Sequence, residues 1–243
     1  MPIQDFPVSQ EPARRIVGRE LLAVAAASLL HPFGLWRSNK RTERRAGQRT
    51  VVLVHGYMGN RSALWPLAAY LRMRGVRQIL AYEYAGGRGI EQAALGLRAF
   101  LRERVRGGRI DLVCHSLGGV VARVYLQQLG GARRVDRCIT LGTPHRGTYN
   151  AYWVSTRVGR ELRPDSALLA RLEATRAGAA GVRLASIVAG SDNIVIPRVF
   201  AAGEDVVRVD GVGHLGLLFS PTAFRAVADR LATASLPGGA EVQ

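Results

Sequence analysis

Residues 112–120 read LVCHSLGGV, an apolar run that stops at one serine and resumes after two glycines. A serine wedged between a strand and a helix on so tight a bend is held with positive φ. Small residues two positions before and after it let strand and helix close up. Gly118 meets that need downstream, while Cys114 stands where glycine is usual upstream. The same pattern also describes an ordinary glycine-eased turn with an idle serine. Company separates the two readings, because a hydroxyl becomes a nucleophile only when a base takes its proton and a third group orients that base.

The chain supplies candidates for both partners. On a strand–elbow–helix scaffold the chain order is serine, acid, histidine. Of five histidines, His214 in DGVGHLG is the one that follows a candidate acid beyond Ser116, and its loop is rich in glycine. His31, His55 and His115 precede or adjoin the serine; His145 follows it with no strand-end acid between, and is expected to shape the site wall. Asp192 in AGSDNIV directly follows an apolar strand pattern and is the expected acid. Asp210 is the reserve, and Asp205 is read as solvated or structural. Such a trio performs acyl transfer through a tetrahedral intermediate, whose oxyanion needs two donors. The expected donors are the backbone amides of Leu117, at the start of a helix where N–H groups lack intrahelical partners, and of Tyr57 in VHGYMGN.

These residues fall at the ends of a repeating β-then-α rhythm. Strand-like runs occupy residues 50–56, 76–84, 110–116, 135–144, 182–190 and 204–211. Helical apolar spacing fills 62–75, 90–107, 117–130 and 222–233. Buried strands alternating with helices predict an α/β fold with a mostly parallel central sheet flanked by helices. In such sheets the functional crevice lies beyond the carboxyl ends of the strands, which is where His55, Ser116, Asp192 and His214 are expected.

In order along the chain, LVHGYMG, CHSLGG, LGTPHRGT, GSDNIV and VDGVGH resemble the α/β-hydrolase superfamily, and within it bacterial triacylglycerol lipases and related esterases. The resemblance runs over about residues 50–233 and covers nothing before Arg49. It implies Ser116 as nucleophile, Asp192 as acid, His214 as base, and Tyr57 with Leu117 as oxyanion donors. It also implies ester hydrolysis through an acyl-enzyme, with no cofactor and no metal. A thioesterase or acyltransferase using the same trio is the second expectation, and a non-catalytic binding protein of this fold the third.

The rhythm breaks at about residues 148–180, expected to form a small cap insertion in a hydrolase domain of residues 49–243. Tyr149, Tyr152 and Trp153, followed by a short helix with Leu168, Leu169 and Leu172, suggest substrate contacts and a lid over an apolar acyl chain. A crossover helix packed on the sheet fits the same residues. Residues 1–48 form a separate helical and basic extension. Its apolar run at 21–30 is shorter than the about 20 residues of a membrane span, and Arg19 and Glu20 interrupt it upstream. The leader is also long and acidic for a signal peptide. Packing on the domain, or peripheral contact with an anionic membrane beside the basic segment 37–49, is expected instead.

Composition narrows the rest. With 48% apolar residues in 243 and a mean hydropathy of +0.05, the chain is globular. The formal charge is +16, and Lys40 is the only lysine among 34 basic residues. No nucleic-acid motif accompanies the arginines, so nucleic-acid binding is not expected. Cys114 and Cys138 lie in apolar runs with no metal-ligand spacing, consistent with a reducing compartment. A cytoplasmic protein, or one peripheral on the inner membrane face, is therefore expected, with secretion open as an alternative.

Overall fold

The computed structural model describes residues 3–5, 11–34, 49–105, 107–196, 199–201 and 205–232. Strand β1 (Ile3–Asp5) and helix α1 (Ala13–Gly34) come first, then β2 (Thr50–Val54), α2 (Trp65–Met73), β3 (Gln78–Tyr82), α3 (Ile90–Arg104), β4 (Ile110–His115), α4 (Leu117–Gln128) and β5 (Val135–Leu141). An insertion carrying α5 (Arg157–Glu161) and α6 (Ala167–Ala174) leads to β6 (Arg183–Ala189), β7 (Val199–Ala201), β8 (Asp205–Val209) and α7 (Pro221–Ala232).

Six strands form one sheet in the order β3-β2-β4-β5-β6-β8, with every pair parallel. Strands buried on both faces explain the unbroken β-branched runs in the sequence. Alternate side chains feed two cores. Val52, Val54, Leu112 and Cys114 pack with Leu97 and Leu101 of α3, Val120 and Val124 of α4, and Leu172 of α6. Val51, Leu53, Val113 and Ile187 pack on the other face with Leu67 and Leu71 of α2 and Val227 and Leu231 of α7. From β2 the chain goes outward to β3, then crosses back to β4 and continues the other way. The strand order therefore reverses between β2 and β4, and a crevice opens at their carboxyl ends.

Two features escape the sequence pattern. β1 and β7 form an antiparallel pair of three residues each, apart from the main sheet. And α1 is 22 residues long, so it extends the apolar run in both directions and takes in Arg19 and Glu20. By length and composition α1 is long enough to cross a membrane. In this structure it lies along the domain, against the helical turns 61–64 and 216–219. Val17, Leu21, Leu22, Leu29 and Phe33 stay exposed. Of the basic segment 37–49, only Arg49 lies within the described residues, and it is tied to Asp111 (2.8 Å) and Asp136 (3.2 Å).

Candidate active site

Ser116 sits between β4 and α4 with φ of 51° and ψ of −123°. Met58, on the loop after β2, is the other non-glycine residue with positive φ among the described residues. Both strained positions thus lie at the strand-order reversal. The bend is tight because α4 starts almost on top of β2: a methyl group on Gly118 would lie 2.6 Å from the carbonyl oxygens of Val54 and His55. Cys114 is fully buried and the elbow forms with it in place of glycine. The Ser116 amide donates to the Leu141 carbonyl (2.8 Å), and Thr143 Oγ1 donates to the Ser116 carbonyl (2.9 Å). These bonds fix the backbone and leave the half-buried side chain out of the ladder.

The acid and the histidine come from the far strands. Asp192 follows β6 and His214 follows β8, and both are buried. His214 Nδ1 lies 2.9 Å from Asp192 Oδ2. Since an ionised carboxylate only accepts, Nδ1 carries the proton and Nε2 keeps a free lone pair. The other oxygen, Oδ1, accepts from the amides of Ile194 and Val195, each at 2.9 Å. Burial pushes the Asp192 carboxyl up, but its electrostatic interaction and hydrogen bond with the His214 ring, together with those two amides, outweigh it and hold the group below the ordinary carboxylate range. The His214 ring lies against Gly142, where a methyl group would be 3.1 Å from Nδ1. Gly142 adjoins the Leu141 carbonyl that receives the Ser116 amide, so the serine and the imidazole flank the same strand end. Asp210, the reserve acid, instead bonds Arg208 (2.7 Å).

The remaining histidines are occupied elsewhere. His115 packs beside His214, ring centroids 5.0 Å apart, and burial with the neighbouring His214 pushes it down to about 3, so it stays neutral. His145 does not shape the wall of this site: its Nε2 is 3.0 Å from Thr140 Oγ1, and it lines a cavity on the β5–β6 side with Arg123 and Glu173. His55 stacks on Tyr84 and lies 3.1 Å from Glu83, whose other oxygen accepts the Arg61 amide at 3.0 Å. Glu83 thereby straps both ends of the loop 55–61 that carries Tyr57. Leu117 opens α4, where first-turn amides point outward. The Tyr57 hydroxyl reaches Thr156 of the insertion (3.2 Å).

The largest surprise is α1. Glu20 accepts from the amides of Leu215 (3.0 Å) and Gly216 (2.6 Å), directly after His214, and Arg19 donates to the Gly211 carbonyl (2.6 Å). Asn60, in the Tyr57 loop, donates to the His31 carbonyl (2.8 Å). One helix thus grips the loops on both sides of the site. The sequence carries a signal here, a charged pair inside an apolar helix, which by spacing alone reads as an interruption. The insertion does follow β5, and its start is pinned to the acid loop through Thr148 Oγ1 to the Ile194 carbonyl (2.6 Å). Its aromatics, however, face solvent: Trp153 is 89% exposed, and Tyr152 bonds Asp165 (2.8 Å) beneath Arg163. Neither these two nor Tyr149 lines the apolar cavity of about 630 Å³ beside the Tyr57 loop; α1 does.

A parallel sheet reversed at its centre, with an elbow serine after one strand and a buried Asp–His pair after two others, defines an α/β-hydrolase. Residues 50–177, just over half of the 243-residue chain, match the palmitoyl protein thioesterase family, and the chain belongs to that family, within the lipase-, esterase- and thioesterase-like α/β-hydrolases. The matched segment holds Tyr57, Ser116 and Leu117; Asp192, His214 and α1 lie outside it. In fold the chain is similar to the mature form of Bacillus licheniformis lipase BlEst2 (TM-score 0.68, 16% identity, 82% of this chain and 98% of that one). It is similar also to the lin2722 product of Listeria innocua (TM-score 0.61, 16% identity, 78% and 96% covered). A third likeness is to an extracellular α/β-hydrolase from a Paenibacillus species (TM-score 0.52, 16% identity, 78% and 100% covered).

Proposed function

We propose that the chain is a serine hydrolase that cleaves carboxylic esters with an apolar acyl chain through an acyl-enzyme. The observation that carries this reading is the buried His214–Asp192 hydrogen bond of 2.9 Å at the same carboxyl end of the sheet as a serine held at φ 51°. Ser116 Oγ attacks the acyl carbon while His214 Nε2 takes its proton. The oxyanion that forms accepts from the Tyr57 and Leu117 amides. Collapse breaks the ester bond, and the leaving alkoxide departs with the proton from His214. Water then attacks the acyl-Ser116 carbonyl, again giving a proton to Nε2, and a second collapse frees the carboxylic acid and restores the serine hydroxyl. Asp192 stays ionised throughout and holds the ring in the productive tautomer. Loss of one oxyanion donor from such a site costs roughly 10²–10³ in turnover.

Family membership favours a second substrate class, the thioester, on the same residues. A thiolate is a better leaving group than an alkoxide, so the step that relies on His214 as acid becomes easier. The test is fluorophosphonate labelling mapped by mass spectrometry, followed by turnover of p-nitrophenyl esters and of a palmitoyl thioester. Label on Ser116, lost in Ser116→Ala, with ester turnover is the expected result. Turnover confined to the thioester selects the second class. Label at another residue, or no turnover of any acyl compound, overturns the reading.

We further propose that the protein lies peripherally on an anionic membrane through α1, whose outward side combines exposed Leu21, Leu22 and Leu29 with Arg14 and Arg15. A helix engaged through Glu20 and Asn60 with both site loops can lie on a bilayer while doing so, but cannot cross it.

A further inference from the structure

The inward side of α1 leaves room. Val24, Ala27, Ser28, His31 and Pro32 recur at the three- and four-residue spacing of one helical face, and together they wall the cavity of about 630 Å³. Gly56, Tyr57 and Leu215 also line it. Each of these borders the reacting groups. A methyl group on Gly56 would lie 3.0 Å from Ser116 Cβ, the Tyr57 amide is the oxyanion donor proposed above, and Leu215 follows His214. The cavity therefore adjoins Ser116 through Gly56.

We propose that the cavity receives the long acyl chain of the substrate, with α1 as its outer wall, in place of a pocket beneath the insertion. The inference rests on Ser116 being the nucleophile and adds where the acyl group goes. Its volume falls in the range of about 300–1,000 Å³ that small-molecule sites occupy. Most of its lining is hydrocarbon, which suits a chain that can make no hydrogen bonds and gains by leaving water. The same helix exposes Leu21, Leu22 and Leu29 on its outer side, where it would meet the lipid in the membrane contact proposed above. The competing location fails on contacts: Trp153 projects into solvent, and the Tyr152 ring lies beneath Arg163 with its hydroxyl on Asp165.

The test uses the full chain carrying Ser116→Ala, irradiated with a diazirine-bearing palmitic acid and mapped by mass spectrometry. Cross-links in residues 24–32 and 56–64 are expected. Cross-links confined to residues 149–174, or none above an irradiated albumin-competed control, overturn the proposal. In parallel, Ala27→Trp and Ala63→Trp narrow the cavity from opposite sides. The ratio of kcat/KM for p-nitrophenyl palmitate to that for the acetate ester is expected to fall at least tenfold in each, and an unchanged ratio in both refutes the assignment. The two readings separate cleanly. Cross-links on α1 in a protein that shows no label on Ser116 leave a fatty-acyl site and remove the hydrolase. Turnover with cross-links on the insertion does the reverse.

Discussion

At the scale of single residues, the site depends on groups that never touch the reacting atoms. Glu20 spends one carboxylate oxygen on the Leu215 amide and the other on the Gly216 amide. Glutamine can satisfy only one of them and turns an amino group toward the second. Hydrogen bonds to a charged group are worth about 1.5–3 kcal/mol, and each 1.36 kcal/mol in a barrier is about tenfold in rate. Glu20→Gln is therefore expected to slow fluorophosphonate labelling of Ser116 by about tenfold or more, while the melting temperature moves by only a few degrees. A labelling rate equal to wild type would remove Glu20 from the positioning of His214. The sequence points to Ser116, Asp192 and His214 because each is announced by a strand end or a glycine-rich loop. Glu20 has no such herald, since its partners lie 195 and 196 positions away.

At the scale of elements, the close approach of α4 to β2 decides whether the elbow exists. An alanine at position 118 would put its methyl 2.6 Å from two backbone carbonyl oxygens, and backbone cannot move aside cheaply. Gly118→Ala is expected to destabilise the fold by about 1–3 kcal/mol, as overpacking does, and to lower kcat by at least a hundredfold by displacing the Leu117 amide. Gly18 in α1 has nothing within 4 Å of the same added atom, and Gly18→Ala should instead raise stability by up to about 1 kcal/mol. Urea titration of both variants checks the opposite signs, and a tolerated Gly118→Ala would contradict the packing. The six sheet strands are legible within two or three residues at each end: the interior β2, β4 and β5 are buried on both faces and leave long apolar runs, while the half-exposed β3, β6 and β8 are marked by shorter runs between turns. α1 was legible as a helix but not as a wall, since a helix apolar nearly all round has no stripe to show which face packs. The insertion lies between β5 and β6; the facing of Tyr149, Tyr152 and Trp153 is tertiary information that periodicity does not hold.

At the scale of the whole molecule, the charge of +16 bears on the membrane contact proposed for α1. A basic surface draws anionic headgroups over about a Debye length, and apolar contact then retains the protein. Sedimentation with phosphatidylglycerol vesicles is expected at low salt and should weaken toward about 1 M salt, where screening acts within about 3 Å. Equal sedimentation with phosphatidylcholine vesicles, or no dependence on salt, would speak against an electrostatic encounter.

The sheet order carries a consequence for how the protein fails. Ser116 follows β4, an interior strand, whereas His214 follows β8, which among the described residues has a neighbour on one side only. Rims of a sheet open at lower free energy than its middle. Gentle warming should therefore silence catalysis while the bulk of the molecule remains intact, the imidazole drifting off before the hydroxyl loses its bend. A calorimetric melt lying several degrees above the midpoint of activity loss would be the signature, and coincidence of the two would show that rim and centre give way as one.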